Sequence, residues 1–311
     1  MAFPDDLRAR ARARERRVGF PEADEARTAE AMVRLAREGL VRPVAVADPS
    51  KLGGLPDELP GLEVLDPADP DVRATAGEAA AEGDPLRTAA GLVAAGRLDG
   101  AVAGTRAPTA DVVRAGLQVV GLAPGYEVLS STFYMYGMAR DPSGAGVLSF
   151  TDAAVVPDPD AAQLAQIARA AAGARRKVVG DEPRLAFLSY ATRGSADGDS
   201  VRKVRRAVEL FREAEPGIPA DGELQVDAAL VEEIGRRKAP DSPVAGRANV
   251  LVFPDLDAGN IGYKLVERLA GAGALGPVMQ GLRRPLNDLS RGADVEDIVL
   301  TACVTGLAAE G

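Results

Sequence analysis

The run from Pro285 to Val299, PLNDLSRGADVEDIV, places a hydroxyl (Ser290), a guanidinium (Arg291) and two carboxylates (Asp294, Asp297) around a loop that enters a helix. After Asp294 the apolar residues Val295, Ile298, Val299 and Ala302 recur at i, i+3, i+4 and i+7, so the spacing predicts a helix starting near Asp294. Backbone N–H groups without helical partners and the positive end of the helix dipole make such a start an anion site. Arg291 adds a planar, bidentate grip on phosphate or carboxylate. Each residue also has a bland reading: a capping box for Asp294 and Asp297, a surface ion pair for Arg291, and a turn hydroxyl for Ser290.

The absence of histidine narrows the chemistry further. It removes Ser-His-Asp and Cys-His mechanisms and histidine-ligated zinc, and it leaves proton transfer to a carboxylate, lysine or tyrosine. The single cysteine, Cys303, falls within the last predicted helix and reads as a small buried apolar residue. No metal site is expected. A net charge of −9 argues against nucleic acid as a partner. No stretch approaches the ~20 apolar residues of a membrane span. The N-terminal arginines are not followed by the apolar segment of a secretory signal, and there is no disulfide framework, so a cytoplasmic protein is expected.

The elements that must hold these residues alternate. Helical periodicity over Glu25 to Glu38 leads into an apolar run at Val41 to Asp48. Arg87 to Gly96 reads as helix, Asp99 to Gly104 as strand and Thr109 to Gly121 as helix. LAFLS at Leu185 to Ser189 and NVLVFP at Asn249 to Pro254 read as strands covered on both faces, with helices following at Asp199 to Ala214 and Asn260 to Ala270. This alternation predicts an α/β architecture with largely parallel strands. In such sheets ligands collect beyond the carboxyl ends of strands, where Gly104 to Thr109, Ser189 to Thr192 and Asp255 to Asn260 fall. At 311 residues two domains are expected. The Pro-, Asp-, Gly- and Ala-rich stretch from Pro56 to Pro85 reads as a partly irregular connection.

The sequence resembles the phosphate acetyltransferases (phosphotransacetylases) of the phosphate acetyl/butyryltransferase family. The resemblance is carried by NDLSRG with the VEDI helix start, the whole of Ala248 to Gly292, LSYATRGSA at Leu188 to Ala196 and TADVVRAGLQVV at Thr109 to Val120. Weaker echoes are GFPEADEART at Gly19 to Thr28 and the stretch beginning at Glu223. The resemblance implies two α/β domains of the isocitrate and isopropylmalate dehydrogenase type with the active site in the cleft between them. Domain 1 would be discontinuous, 1–137 with 285–311, and domain 2 would be 138–284. It implies reversible acetyl transfer between acetyl-CoA and phosphate, giving acetyl phosphate and CoA, by direct attack in a ternary complex with no cofactor beyond the substrates.

In that reaction Asp297 would be the base towards the coenzyme A thiol, Ser290 a donor to the acyl carbonyl oxygen, and Arg291 a phosphate and transition-state ligand. A free aspartate has a pKa of about 3.9, so Asp297 would need burial to be a useful base. Arg114 matches an arginine of the family that contacts phosphate. Ser189, Thr192, Asn260, Lys264 and Asn287 are further expected substrate contacts. A homodimer is implied, and the apolar helix from Ile298 to Ala309 suits an interface or a core equally.

Three departures from the family pattern bear on activity. Ala107 and Pro108 stand where the family usually has a histidine. The segment before Asp84 is shortened, leaving Arg73 as a substitute for a second phosphate-binding arginine. ATRGS at Ala191 to Ser195 replaces the usual STKGS, keeping charge but not geometry. The missing histidine and the shortened segment favour the alternative of a catalytically impaired acyl-CoA-binding regulator, whereas the intact SRG and VED favour the enzyme. A phosphate butyryltransferase would tend to lack the NDLSRG form. A nicotinamide-dependent dehydrogenase would rest on fold analogy alone, with no convincing G-x-G-x-x-G after a strand.

Overall fold

The computed structural model describes residues 2–56, 61–80, 83–138, 141 and 146–309. In chain order the helices and strands begin α1 (Phe3–Arg12), β1 (Arg17–Phe20), α2 (Ala26–Glu38), β2 (Arg42–Val46), β3 (Glu63–Leu65), α3 (Pro70–Ala76), α4 (Pro85–Ala94), β4 (Gly100–Ala103) and α5 (Thr109–Ala115). They continue with β5 (Ser130–Tyr136), β6 (Val147–Thr151), α6 (Ala161–Val178), β7 (Leu185–Leu188), α7 (Asp199–Ala214), β8 (Ala220–Leu224), α8 (Val226–Leu230) and α9 (Glu232–Lys238). The last are β9 (Val250–Val252), α10 (Leu256–Ala270), β10 (Gly273–Gln280), β11 (Leu286–Asp288) and α11 (Val295–Ala308).

Contacts divide the chain into two compact units, Met1–Gly125 with Pro277–Gly311, and Tyr126–Gly276. Both crossings come earlier in the chain than Gly137 and Pro285. β5 already pairs with β6 over Thr132 to Tyr136, which places it in the second sheet. Residues 277–284 are held in the first unit by Met279 N–H donating to Asn287 Oδ1 and by Arg283 N–H donating to the Gly121 carbonyl.

The first unit has a five-stranded sheet in the order β11-β4-β1-β2-β3, parallel throughout. β1, β2 and β4 are short and largely buried, as parallel strands between helices must be. One core joins Val44, Val46, Ala101, Ala103 and Leu286 to Leu92 and Val93 of α4 and Val112 of α5. α11 packs on α1, α2 and β4, and every residue from Ile298 to Leu307 is buried. That helix is therefore core and not an interface. Burial pushes the Cys303 thiol up to about 12, so it remains an inert thiol. The stretch from Pro56 to Pro85 is more regular than its composition implies, since it holds β3 and α3, while residues 57–60 and 81–82 lie outside the described residues. Asp69 caps α3 by accepting from the Asp71 and Val72 N–H groups, and Pro70 takes the first helical position.

The second unit has a six-stranded sheet in the order β10-β5-β6-β9-β7-β8. β6, β9, β7 and β8 run parallel and β5 is antiparallel to β6. Helices cover both faces. Phe187, Val250 and Val252 meet α6 and α7, whereas Phe150, Leu251 and Phe253 face α8 and α10. α10 starts at Leu256 under an Asp255 cap, so the DAGN run at Asp257 to Asn260 is the first turn of the helix rather than a turn preceding it.

Candidate active site

Three loops of the first unit leave the carboxyl ends of neighbouring parallel strands: residues 21–25 after β1, 104–108 after β4 and 289–294 after β11. The last carries the SRG run into α11. Asp294 caps that helix by accepting from Asp297 N–H at 2.9 Å, and Asp297 accepts in return from Asp294 N–H at 3.1 Å. This is the capping box of the bland reading, and it sets both carboxylates at the positive end of the helix. Asp297 is exposed. The chain around it therefore does not supply the burial that a strong carboxylate base requires.

The loop's backbone is held from α2. Arg27 Nη1 donates to the carbonyls of Arg291, at 3.1 Å, and Ala293, at 2.6 Å. Glu296, one residue before Asp297, turns the other way and binds Arg8 and Arg34. The Arg291 guanidinium is exposed and has no hydrogen-bond or ion-pair partner among the described residues. Ser290 is exposed beside it, its hydroxyl accepting from Gly292 N–H at 3.3 Å. A fixed backbone thus presents a free cation and a weakly engaged hydroxyl at a helix N-terminus.

The neighbouring loop is shaped by one buried carboxylate. Glu22 accepts from Gly104 N–H at 2.9 Å, Thr105 N–H at 2.8 Å, the Thr105 hydroxyl at 2.6 Å, Arg106 N–H at 3.0 Å and Ala107 N–H at 2.6 Å. These bonds satisfy donors that no strand or helix uses, and they fix the segment where the family usually has its histidine. Beyond it a cavity of about 430 Å3 is lined by Arg87, Arg106 and Arg114, together with Glu22, Asp84 and Asp111. Arg114 lies where the sequence places it, on α5. Its ion pair with Asp111 at 2.5 Å is exposed and local, a kind of contact worth little. Arg106 pairs with Asp24, and among the described residues Arg87 reaches only the neutral Gln118, at 3.4 Å. Arg87 and Arg106 were not legible as site residues, although Arg106 lies in the strand-end segment that the sequence singles out. Arg73 lies on α3, outside this lining.

Between the two loops sits Asp288, the last residue of β11 and 2% exposed. Its Oδ2 accepts from the Thr109 hydroxyl at 2.7 Å. Burial pushes this carboxyl up to about 6, with the Glu22 charge adding to the effect and the Thr109 hydroxyl and Leu289 N–H opposing it.

Asn287, expected among the substrate contacts, is fully buried. Its Oδ1 accepts from Met279 N–H at 2.8 Å and its Nδ2 donates to the Thr305 hydroxyl at 2.8 Å. The strand alternates its side chains, and this one points into the core to brace α11. It has no face left for substrate.

In the second unit the 189–196 loop follows β7 and the first turn of α10 follows β9. The Ser189 hydroxyl accepts from Ala191 N–H at 3.3 Å and is half-buried. Thr192 is buried, and its hydroxyl accepts from Gln225 N–H at 2.9 Å while donating to Gln225 Oε1 at 3.3 Å. Expected among the substrate contacts, it instead fastens the loop to the start of α8. The loop is also tied to β8. Buried Asp221 accepts from Arg193 at 2.6 Å and Arg212 at 2.8 Å, and buried Glu223 accepts from Arg205 at 2.8 Å and Gly194 N–H at 2.8 Å. Burial opposes charge on Glu223, but Arg205 and the Gly194 N–H outweigh it and hold its pKa below the usual carboxylate value.

Asn260 Nδ2 donates to the Ala153 carbonyl at 3.1 Å, holding α10 against the loop after β6. Gly259 permits that approach, since a Cβ there would lie 2.2 Å from the Asp152 carbonyl oxygen. Lys264, one turn on, is exposed, with its ammonium 5.8 Å from the centroid of the Tyr263 ring.

Comparison with known proteins gives a consistent result. The profile described as "Phosphate acetyl/butaryl transferase" matches residues 71–306. A phosphate acetyltransferase of Paracoccus denitrificans is 44% identical over 97% of this chain and 98% of its own length. One of Thermoanaerobacterium thermosaccharolyticum is 39% identical over 100% of both. Among solved structures, the EutD phosphotransacetylase of Staphylococcus aureus superposes with a TM-score of 0.88 at 33% identity, covering 98% of this chain and 97% of that one. The 4-hydroxythreonine-4-phosphate dehydrogenase of Klebsiella pneumoniae, at 14% identity and a TM-score of 0.57 over 94% and 99% of the two chains, shares the fold alone. With a profile match over most of its length and near-complete coverage of relatives well above 30% identity, this chain belongs to the phosphate acetyl/butaryl transferase family.

Proposed function

We propose that this protein is a phosphate acetyltransferase. It interconverts acetyl-CoA and phosphate with acetyl phosphate and CoA by direct transfer. The observation that carries the reading is the Arg291 guanidinium, which has no partner among the described residues and stands on the α11-opening loop whose Arg291 and Ala293 carbonyls Arg27 holds. In the direction of acetyl-CoA synthesis, Asp297 takes the thiol proton and the sulfur attacks the acetyl carbonyl carbon. Ser290 donates to the carbonyl oxygen as negative charge develops there, and the carbon–oxygen bond to phosphate then breaks. Arg291 holds the departing phosphate. Because Asp297 is exposed in the chain itself, we assign its desolvation to the bound CoA and acetyl phosphate.

Arg114, joined by Arg87 and Arg106 in their cavity, binds the substrates' phosphate groups. In the second unit Ser189, Asn260 and Lys264 remain as substrate contacts. The reaction needs no resident cofactor or metal. Nucleic acid and membrane are not partners, and the cytoplasm is the setting. A homodimer is part of the proposal. α10 exposes Ile261 (56%), Leu265 (51%) and Leu269 (82%) at i, i+4 and i+8, an apolar stripe of the kind that a partner subunit covers.

Purified protein given acetyl phosphate and CoA should form thioester, followed by its absorbance. Arg291→Ala and Asp297→Asn, both folded by circular dichroism, should each lose about 100-fold or more in kcat. Turnover that survives both changes refutes the assigned roles. Wild-type protein that binds acetyl-CoA without turnover would be the regulatory homologue instead.

A further inference from the structure

Asp288 connects the two segments of the first unit that the acetyl-transfer reading places on phosphate. It directly precedes Leu289, Ser290 and Arg291. Its side chain reaches across to Thr109, the first residue of α5, the helix that carries Arg114. Pro108 gives that helix no side-chain cap, so the bond from the Thr109 hydroxyl ties its start to β11. The other carboxyl oxygen, Oδ1, is buried without a hydrogen-bond partner among the described residues. It lies against Gly104, where the chain turns out of β4 at φ +106°. A Cβ at Gly104 would sit 2.3 Å from Oδ1 and 2.7 Å from the Leu289 nitrogen and carbonyl oxygen. A buried carboxylate left half-satisfied is costly, and side chains of small apolar residues would fill the same space more cheaply.

We infer that Asp288 is a positioning residue for phosphate: its carboxylate keeps the Ser290–Arg291 loop and the α5 helix bearing Arg114 in one fixed register. The inference rests on the acetyl-transfer reading of this site. An ionised carboxylate accepts the Thr109 hydroxyl in a charge-assisted bond, and protonation weakens that bond. The groups facing Asp288 are the Thr109 hydroxyl on α5, the Leu289 N–H after β11 and the Glu22 carboxylate from the loop after β1. With its carboxyl pushed up to about 6, the register is held above that pH and loosens below it.

The test is kcat and KM for phosphate and for acetyl phosphate, across pH 5 to 8, in wild type, Thr109→Val, Thr109→Ser and Asp288→Asn, each checked by thermal melting. Wild type should lose kcat/KM as pH falls through about 6. Thr109→Val removes an opposing donor, so its inflection should move to higher pH, with KM for phosphate raised roughly tenfold and kcat changed less. Thr109→Ser should restore wild-type behaviour, and Asp288→Asn should lack the inflection. A wild-type pH profile and KM in Thr109→Val, or an inflection near 6 that persists in Asp288→Asn, overturns the inference. Absence of turnover in wild type would refute the transferase reading itself. Calorimetric binding of inorganic phosphate over the same pH range then decides the positioning role. Weaker binding with a shifted pH dependence in Thr109→Val supports it, and unchanged binding overturns it.

Discussion

Replacing Asp288 by asparagine should change stability in a manner that depends on pH, with a size that follows from burial. The carboxyl titrates near 6 in the folded chain against a usual value of 3.8. The folded state therefore holds its proton to higher pH than the unfolded state does, and between these values folding takes up a proton. Stability contributed by this group is present below about 3.8 and is lost as pH rises towards 6. At about 1.4 kcal/mol per pKa unit, the whole loss is about 3 kcal/mol, of which about 2 kcal/mol falls between pH 4 and pH 7.5. Asparagine carries no such charge. It places an N–H or a carbonyl in the unpartnered Oδ1 position, at a cost of about 1–3 kcal/mol that does not vary with pH.

The expected signature is a difference between variant and wild type that moves in the variant's favour by about 2 kcal/mol from pH 4 to pH 7.5. Urea unfolding followed by far-ultraviolet circular dichroism reads it, which suits a chain with no tryptophan. A difference that stays flat across this range would show that Asp288 is not desolvated as its burial indicates. A difference that moves the other way would mean that its partners stabilise the ionised form. Combined with loss of activity, the expected result would make Asp288 a group that the fold tolerates for the sake of the site.

Arg27→Met should release the Arg291 and Ala293 carbonyls and raise KM for phosphate roughly tenfold while leaving thermal stability nearly unchanged, measured by steady-state kinetics beside melting curves. Asn287→Ala should cost about 2–4 kcal/mol in urea unfolding, because it orphans the Met279 N–H and the Thr305 hydroxyl in the core. The folded variant's KM values should remain near wild type, since the amide does not touch substrate. Ile261→Asp with Leu265→Asp should convert the proposed homodimer to a monomer in sedimentation; a dimer that persists would place the interface elsewhere, and a monomeric wild type would refute the dimer.

The elements nearest the site were the most legible in the sequence. β4, β7, β9 and the helices that follow them are marked by short apolar runs that end in turn residues, and Asp294 marks the start of α11 by its capping pattern. Membership in the family was legible from the SRG run and its flanks. Side-chain direction was not. Thr192 and Asn287 lie in the right motifs yet point inward, because a match fixes a residue's place along the chain and not the face of the loop or strand it occupies. Asp288 escaped for the same reason: in the sequence it is one polar residue among several, and only the fold shows it buried. Arg87 enters the site by the packing of α4 beside α5, a long-range contact that no local spacing encodes. β8 was hidden because ADGEL reads as a polar turn. Its acidic residues are buried only because arginines from the 189–196 loop and α7 meet them.

That acidic strand also limits how the protein can evolve. Exchanging Arg193, Arg205 or Arg212 singly would strand part of a buried negative charge, and exchanging Asp221 or Glu223 singly would leave unmatched cations around the loop. Each first step is harmful even where the final combination would be neutral. The five positions therefore form an epistatic set that lineages should replace together or keep. Because Arg193 belongs to the loop that also holds Ser189, altering that loop at Arg193 would require prior change in β8.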